Sequence, residues 1–178
     1  GNFIPYVPAA LGKGRGSAMA AHRYGAGQLA PSVTWREAEA VRKQWDGPFV
    51  VKGVMTPADA RAAAGIGATA IVVSNHGGRQ MEGVPASIEA LPAIAEALDG
   101  RLEIVLDGGV RRGTHVLKAL ALGAAAVMIG RPYLYGVTAG GQRGVARILA
   151  IFRAELTRDC QLLGVPSTAE VGPEQLAR

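Results

Sequence analysis

The 178 residues carry a net charge of +5, with 49% hydrophobic and 19% charged residues, a balance that excludes global disorder and suffices for one domain with a sizeable core. The single cysteine, Cys160, excludes an intramolecular disulfide and a cysteine-based metal cluster. Aromatic residues make up 5% of the chain and no basic stripe interleaves with them, which argues against nucleic-acid binding. No apolar stretch approaches the roughly 20 residues that span a bilayer. No basic segment followed by an apolar core opens the chain, so no signal peptide is expected and the lone cysteine fits a reducing cytoplasm. The chain starts at Gly1 without an initiator Met, which reads as a fragment or a processed chain.

Residues 1–31 are rich in Gly, Pro and Ala and read as a mobile loop segment, with Phe3, Ile4, Tyr6 and Val7 set among prolines. Thr34 and Glu37 have the spacing of a capping box, and Trp35, Ala38, Val41 and Trp45 then fall on one helical face. Phe49–Gly53 reads as a strand. Thr56, Pro57 and Asp59 open a helix that ends near Gly65 or Gly67. Ala70–Ser74 is an apolar run typical of a buried parallel strand. A helix over 86–98, a strand over 103–107, a helix over 113–122 and a strand over 125–129 follow. A short helix is expected after Arg131, then a long one over 143–163 whose apolar stripe is Val145, Ile148, Leu149, Phe152, Leu156 and Leu163. Residues 164–178 read as a polar tail. Four strands alternating with helices predict an α/β fold with a parallel sheet. Four strands of this kind are half of a (β/α)8 barrel, since a whole one needs about 250 residues. A small open doubly wound sheet is the alternative. The organisation is therefore a loop segment over 1–31, a half barrel over 32–163 and a tail over 164–178.

Candidate chemistry gathers where strands end, which is where barrels carry their sites. Lys52 closes an apolar strand, where an ammonium needs an anion or a polar ligand. Ser74-Asn75-His76-Gly77-Gly78-Arg79-Gln80 follows the buried strand. A neutral imidazole can take a hydroxyl proton, and a guanidinium can grip a carboxylate with two parallel bonds. His76 and Arg79 together suit a small acid whose hydroxyl adjoins its carboxylate. Asp107-Gly108-Gly109-Val110-Arg111 turns sharply after the third strand, and Gly130-Arg131 precedes a helix start, where backbone N–H groups bind phosphate. Arg112 and Lys118 read as surface helix charges, and His22 and His115 as solvated.

Lys52-Gly53, the segment from Ser74 to Gln80, Asp107 through Gly113 and Gly130-Arg131-Pro132 together resemble the FMN-dependent α-hydroxy acid dehydrogenase and oxidase family. That family includes L-lactate dehydrogenase, glycolate oxidase and mandelate dehydrogenase. The resemblance runs from about residue 32 to residue 163, and residues 31–35 and 46–48 look closest to the bacterial L-lactate dehydrogenases. It implies an enzyme that oxidises an L-2-hydroxy acid, lactate-like, to the 2-oxo acid with FMN as cofactor. His76 is then the catalytic base and Arg79 the substrate carboxylate clamp. Lys52 faces the flavin N1/O2 edge. Ser74, Asp107, Gly108, Gly109, Val110 and Arg111 line the cofactor, and Gly130 and Arg131 sit at its phosphate. Hydride transfer and a carbanion route both fit.

Two local departures stand out: Met81-Glu82 where Leu-Asp is common, and Thr114-His115 where a small residue plus Asp is common. The first four strands of the family's barrel have no counterpart here, so the resemblance implies the C-terminal half of a (β/α)8 TIM barrel. The resemblance places residues 1–31 in the variable loop after strand four, which implies peripheral contact with the inner membrane. A half barrel leaves two strand edges open, so homo-oligomerisation or pairing with the missing N-terminal half is expected, and the isolated chain is expected to be inactive or nearly so. Alternatives are a non-catalytic half-barrel module that needs a partner chain, a glycolate- or mandelate-type oxidase, or a phosphate-binding isomerase, which would not need a carboxylate clamp beside Lys52.

Overall fold

A computed structural model describes residues 32–176, together with Gly27 and Ala30. The loop segment expected over 1–31, its membrane contact and His22 thus lie almost wholly outside the described residues. The chain divides into two compact units, residues 1–38 and 39–178. In the first unit, the Thr34 backbone N–H donates to the Glu37 carboxylate at 2.8 Å, which is one arm of the expected capping box. The helix that it opens, α1 (Trp35–Arg42), buries none of its residues.

The second unit is built on a parallel sheet of four strands in the order β1 (Val50–Val54), β2 (Ala70–Ser74), β3 (Glu103–Asp107) and β4 (Ala126–Met128). The helices between them are α2 (Pro57–Gly65), α3 (Ser87–Leu98) and α4 (Gly113–Ala121), and α5 (Arg131–Leu163) follows β4. The helices α2, α3 and α4 lie where the sequence places them, within a residue or two at their ends. Thr56 caps α2, its hydroxyl accepting from the Asp59 N–H at 3.1 Å, with Pro57 in the first turn. Every residue of β2 is buried because strands pair on both sides of it and helices cover it. The core lies between that sheet and its helices, where Ile71, Val73, Leu91, Ile94, Leu98 and Leu106 are all but fully buried.

Three expectations are corrected. Trp45 lies beyond the end of α1, is 56% exposed, and donates its indole N–H to the Pro48 carbonyl at 2.9 Å, so it extends no buried helical stripe. Along α5 the buried positions are Pro132, Gly136, Phe152, Glu155, Asp159 and Cys160, while Leu149 and Leu163 of the expected stripe are exposed. The C-terminal segment is not simply polar: it forms two short 3-10 turns, and Val171 packs with Leu117, Ala121 and Cys160 while Leu176 lies against them.

The short helix and the long helix expected after Arg131 form α5 together, joined at Gly140 and Gly141, which leave helical geometry. Gly141 has φ +55, a conformation that glycine adopts without steric cost. The two arms then meet backbone to backbone at Gly136 and Gly144, where any side chain would collide with the facing main chain.

Candidate functional site

The strand ends converge because the sheet is parallel and in register: Ser74 pairs with Asp107, and Asp107 with Met128. Between β1 and β2 the register slips after Lys52, so that Lys52 pairs with Val72 and Val54 with Val73. Gly53 is the residue left over, a bulge with φ +95. A Cβ there would stand 3.0 Å from His76 Nε2, so the glycine both makes the bulge and clears room for the imidazole.

One hydroxyl organises what the bulge brings together. Ser74, 1% exposed, accepts from Lys52 Nζ at 3.0 Å and from the His76 backbone N–H at 3.0 Å, and donates to Asp107 Oδ2 at 2.6 Å. A hydroxyl has one proton and two lone pairs, so Ser74 is fully committed. Lys52 completes the triangle with an ion pair to Asp107 at 3.0 Å. Burial pushes the Asp107 carboxyl up, but the Ser74 hydrogen bond, the Lys52 ammonium and the charge of His76 outweigh it and hold the group below the usual carboxylate range.

A carboxyl whose folded pKa is depressed stabilises the fold in its ionised form. Asp107 should therefore contribute fully above its ordinary value of 3.8 and lose that contribution as pH falls below it, through the lower folded value. Urea midpoints of wild type and Asp107→Asn measured from pH 6 to pH 2.5 should converge at the acid end. A constant gap across that range would contradict the assignment.

The segment after β2 is held in an unusual shape. His76, Gly77 and Gly78 have φ of +56, +70 and +73, left-handed in succession. The histidine is the one that strains, since its Cβ is crowded there. The Asn75 side chain accepts from the Gly77 N–H at 3.0 Å and its amide donates to the Pro85 carbonyl at 3.2 Å. Arg131 reaches across from the start of α5 to the Gly77 carbonyl at 3.3 Å. His76 and Arg79 are left exposed at the strand ends.

A cavity of about 350 Å³ opens beside this segment, its wall including Asn75, Gly77, Ser87, Gly108, Gly109 and Arg131. Gly108 is in close quarters: a Cβ would lie 3.0 Å from Ser87 Oγ and 3.1 Å from Asn75 Oδ1. Of the residues singled out in the sequence, Gly108, Gly109, Val110 and Arg131 line the cavity, whereas Lys52, Ser74, His76 and Asp107 form the polar cluster beside it. Arg79, Arg111 and Gly130 are exposed and line neither.

One residue read as solvated proves otherwise, and one read as a surface helix charge stays exposed while lining the cavity. His115 is half-buried in the cavity wall, with Nδ1 3.2 Å from the Gly109 carbonyl and 3.3 Å from the Arg111 N–H. Lys118, one helical turn later, lines the same cavity. Arg112 stays at the surface but pairs with the buried Glu155 at 2.9 Å. Glu155 also accepts the Gly113 N–H at 2.7 Å and thereby caps α4 from a residue 42 positions away. No local sequence signal marks such a cap.

A family model described as FMN-dependent dehydrogenase matches residues 6–178. The chain belongs to this family. It is 47% identical over 146 residues to an L-lactate dehydrogenase of Chromohalobacter salexigens, covering 82% of this chain and 37% of that protein. It is 49% identical over 153 residues to a pre-mycofactocin synthase of Mycolicibacterium smegmatis, covering 86% of this chain and 38% of that protein. Among solved structures, mandelate oxidase with (S)-4-hydroxymandelic acid superposes with a TM-score of 0.83 at 41% identity, covering 92% of this chain and 46% of that one. The chain thus spans about two-fifths of the length of these curated relatives, and the expected half-barrel pattern holds. Among the described residues, no helix is long and apolar enough to cross a membrane.

FMN is the cofactor of the family, and the donor set here suits it. The cavity offers backbone at two left-handed glycines, Gly108 at φ +108 and Gly109 at φ +74, which can approach a ligand closely. Arg131 in its wall could offer charge to a phosphate, and the adjoining cluster carries an ammonium, a carboxylate and an imidazole.

Proposed function

We propose that this chain supplies the cofactor-holding and base-bearing half of an FMN-dependent L-2-hydroxy acid dehydrogenase. The observation that carries the reading is the Ser74-centred network, which sets Lys52, Asp107 and His76 together beside the glycine-lined cavity. Gly108, Gly109, Val110, Arg111, Gly130 and Arg131 would hold the ribityl phosphate arm, with Lys52 against the electron-accepting ring. When bound, FMN accepts the two electrons that the substrate C2–H bond gives up.

The remaining work falls to side chains. Arg79 is exposed and binds the substrate carboxylate through its planar fork. His76 takes the C2 hydroxyl proton as the general base. Ser74 spends its proton on Asp107 and so acts on the cofactor through Lys52 rather than by its own hydrogen bond.

Lactate-like substrates are favoured by the identities of 47–48% to several bacterial L-lactate dehydrogenases. The wall that would set side-chain size would come largely from the loop after strand four and from the half of the relatives that this chain does not span. β1 and β4 are edge strands within the described residues, and they expose Val50 (49%) and Met128 (42%). Their natural cover is the N-terminal half of a barrel, or a second copy of the chain in its place.

The reading is tested by dye-linked oxidation of L-lactate. The chain alone should turn over negligibly, and the chain joined to the N-terminal half of its Chromohalobacter relative should turn over and release pyruvate. Robust turnover by the 178 residues alone, or none by the completed barrel with flavin bound, would contradict it.

A further inference from the structure

A second cavity, of about 240 Å³, lies between α4, the end of α5 and the C-terminal turns. It shares one residue, Lys118, with the cavity beside Gly108. Its wall is mostly aliphatic: Leu117 comes from α4, Leu162 and Leu163 from α5, and Val171 and Leu176 from the segment that follows.

Asp159 is out of keeping with that wall. It is 7% exposed, and its Oδ1 accepts from Arg158 twice, from Nε at 3.0 Å and from Nη2 at 2.8 Å. Oδ2 is closed to solvent and, among the described residues, has no hydrogen-bond partner. A buried acceptor left without a donor costs stability, and native structures keep few of them. Arg158 already balances the charge of the carboxylate, so Oδ2 lacks a hydrogen rather than a counter-ion.

The wall selects against charged occupants. A cation would leave water for an aliphatic surface that already carries the Lys118 ammonium, and an anion would meet Asp159. A neutral hydroxyl incurs neither cost. The cavity exceeds the about 150 Å³ that holds benzene and falls short of the about 300 Å³ at which sites for drug-sized ligands begin. One ring with a short substituent fits that range. A phenol suits it better than an alkyl alcohol, because its O–H is the more acidic donor and a rigid ring has few torsions to freeze. Leu162 and Leu163 are exposed, so that side of the wall can yield as the hydroxyl reaches Oδ2.

We propose that this cavity binds a neutral, single-ring phenol, whose hydroxyl donates to Asp159 Oδ2 while its ring packs on Leu117, Val171 and Leu176. The site does not depend on the FMN reading.

The test titrates the 178-residue chain, with ¹³C-labelled Leu and Val methyl groups, with three probes of one size. These are 4-ethylphenol, its isomer 4-methylanisole, which has no O–H, and 4-methylbenzylammonium, which is charged. The phenol should move the methyl resonances of Leu117, Val171 and Leu176 and bind about tenfold more tightly than either other probe. Asp159→Leu should reduce it to the affinity of the anisole. Lys118→Met should leave phenol binding within about twofold, and the barrel completed with the N-terminal half of the Chromohalobacter relative should show the same methyl shifts.

Equal affinity for the two isomers would mean that water or another group already serves Oδ2, and would overturn the proposal. Tighter binding of the ammonium, or a phenol that leaves these methyls unmoved, would overturn it as well. A tenfold gain in Lys118→Met would make Lys118 the partner of Asp159, and loss of binding in the completed barrel would make the cavity a seat for the N-terminal half; either contradicts a phenol site. The probe series runs on the unaltered chain, so it decides even where Asp159→Leu fails to fold.

Discussion

Replacing His76 with Gln should lower turnover of an L-2-hydroxy acid by about 10²- to 10⁴-fold, the usual yield of a positioned general base. Flavin binding should be nearly unchanged, because the groups proposed to hold the cofactor lie on other residues. The expectation follows from the cost at which the imidazole is placed. A non-glycine residue at φ +56 is strained, and three features hold it there: its N–H on Ser74 Oγ, the Asn75 turn over Gly77, and the space left by the bulge at Gly53. Strain kept by that many contacts points to function. The measurement is single-turnover flavin reduction by L-lactate in the completed barrel, with the visible spectrum as the control for cofactor binding. Unchanged reduction in the Gln variant would remove His76 from the chemistry. Gly53→Ala should lose activity as well, since its Cβ would both strain the bulge and press on Nε2.

Glu155→Ala should cost about 1–3 kcal/mol of stability, the penalty of leaving the buried N–H at the start of α4 without its cap. The Gly113 N–H loses its 2.7 Å acceptor, and α4 has no side-chain cap of its own at Arg112 to replace it. The ion pair to Arg112 adds little, because that guanidinium is largely in solvent. Glu155→Gln, which keeps an acceptor, should lose less than half as much. Gly113→Ala should also destabilise, because its Cβ would sit 2.7 Å from Glu155 Cβ and 2.9 Å from the Leu156 backbone nitrogen. Urea unfolding reads all three, and a Glu155→Ala midpoint equal to wild type would show that the cap carries no load. The effect reaches the site because α4 presents His115 and Lys118 to the cavity.

The strands and helices were legible because they depend on local signals: the continuous apolar run of β2, the Thr56-Pro57 start of α2, and glycines where the chain turns. The polar cluster was legible in its members, since Lys52, Ser74, His76 and Asp107 all stand at or just after strand ends. Their wiring was not: that Ser74 spends every hydrogen bond inside the protein follows from the register of β1, β2 and β3, which a linear reading does not contain. His115 was misread for a related reason. A histidine in the first turn of a helix is usually solvated, and only the fold of 108–111 back over α4 makes this one a wall of the cavity. Glu155 was invisible as a cap because its partner is 42 residues away. Trp45 and Leu149 fit an apolar pattern but remain exposed among the described residues.

The central claim is that these residues hold FMN by themselves. A visible absorption titration of the purified 178-residue chain with FMN tests it most directly, with circular dichroism as the check that the chain is folded. The account predicts a shifted and structured flavin band that is weakened by Lys52→Met and Arg131→Gln. A folded chain that leaves the FMN spectrum as it is in water would contradict it.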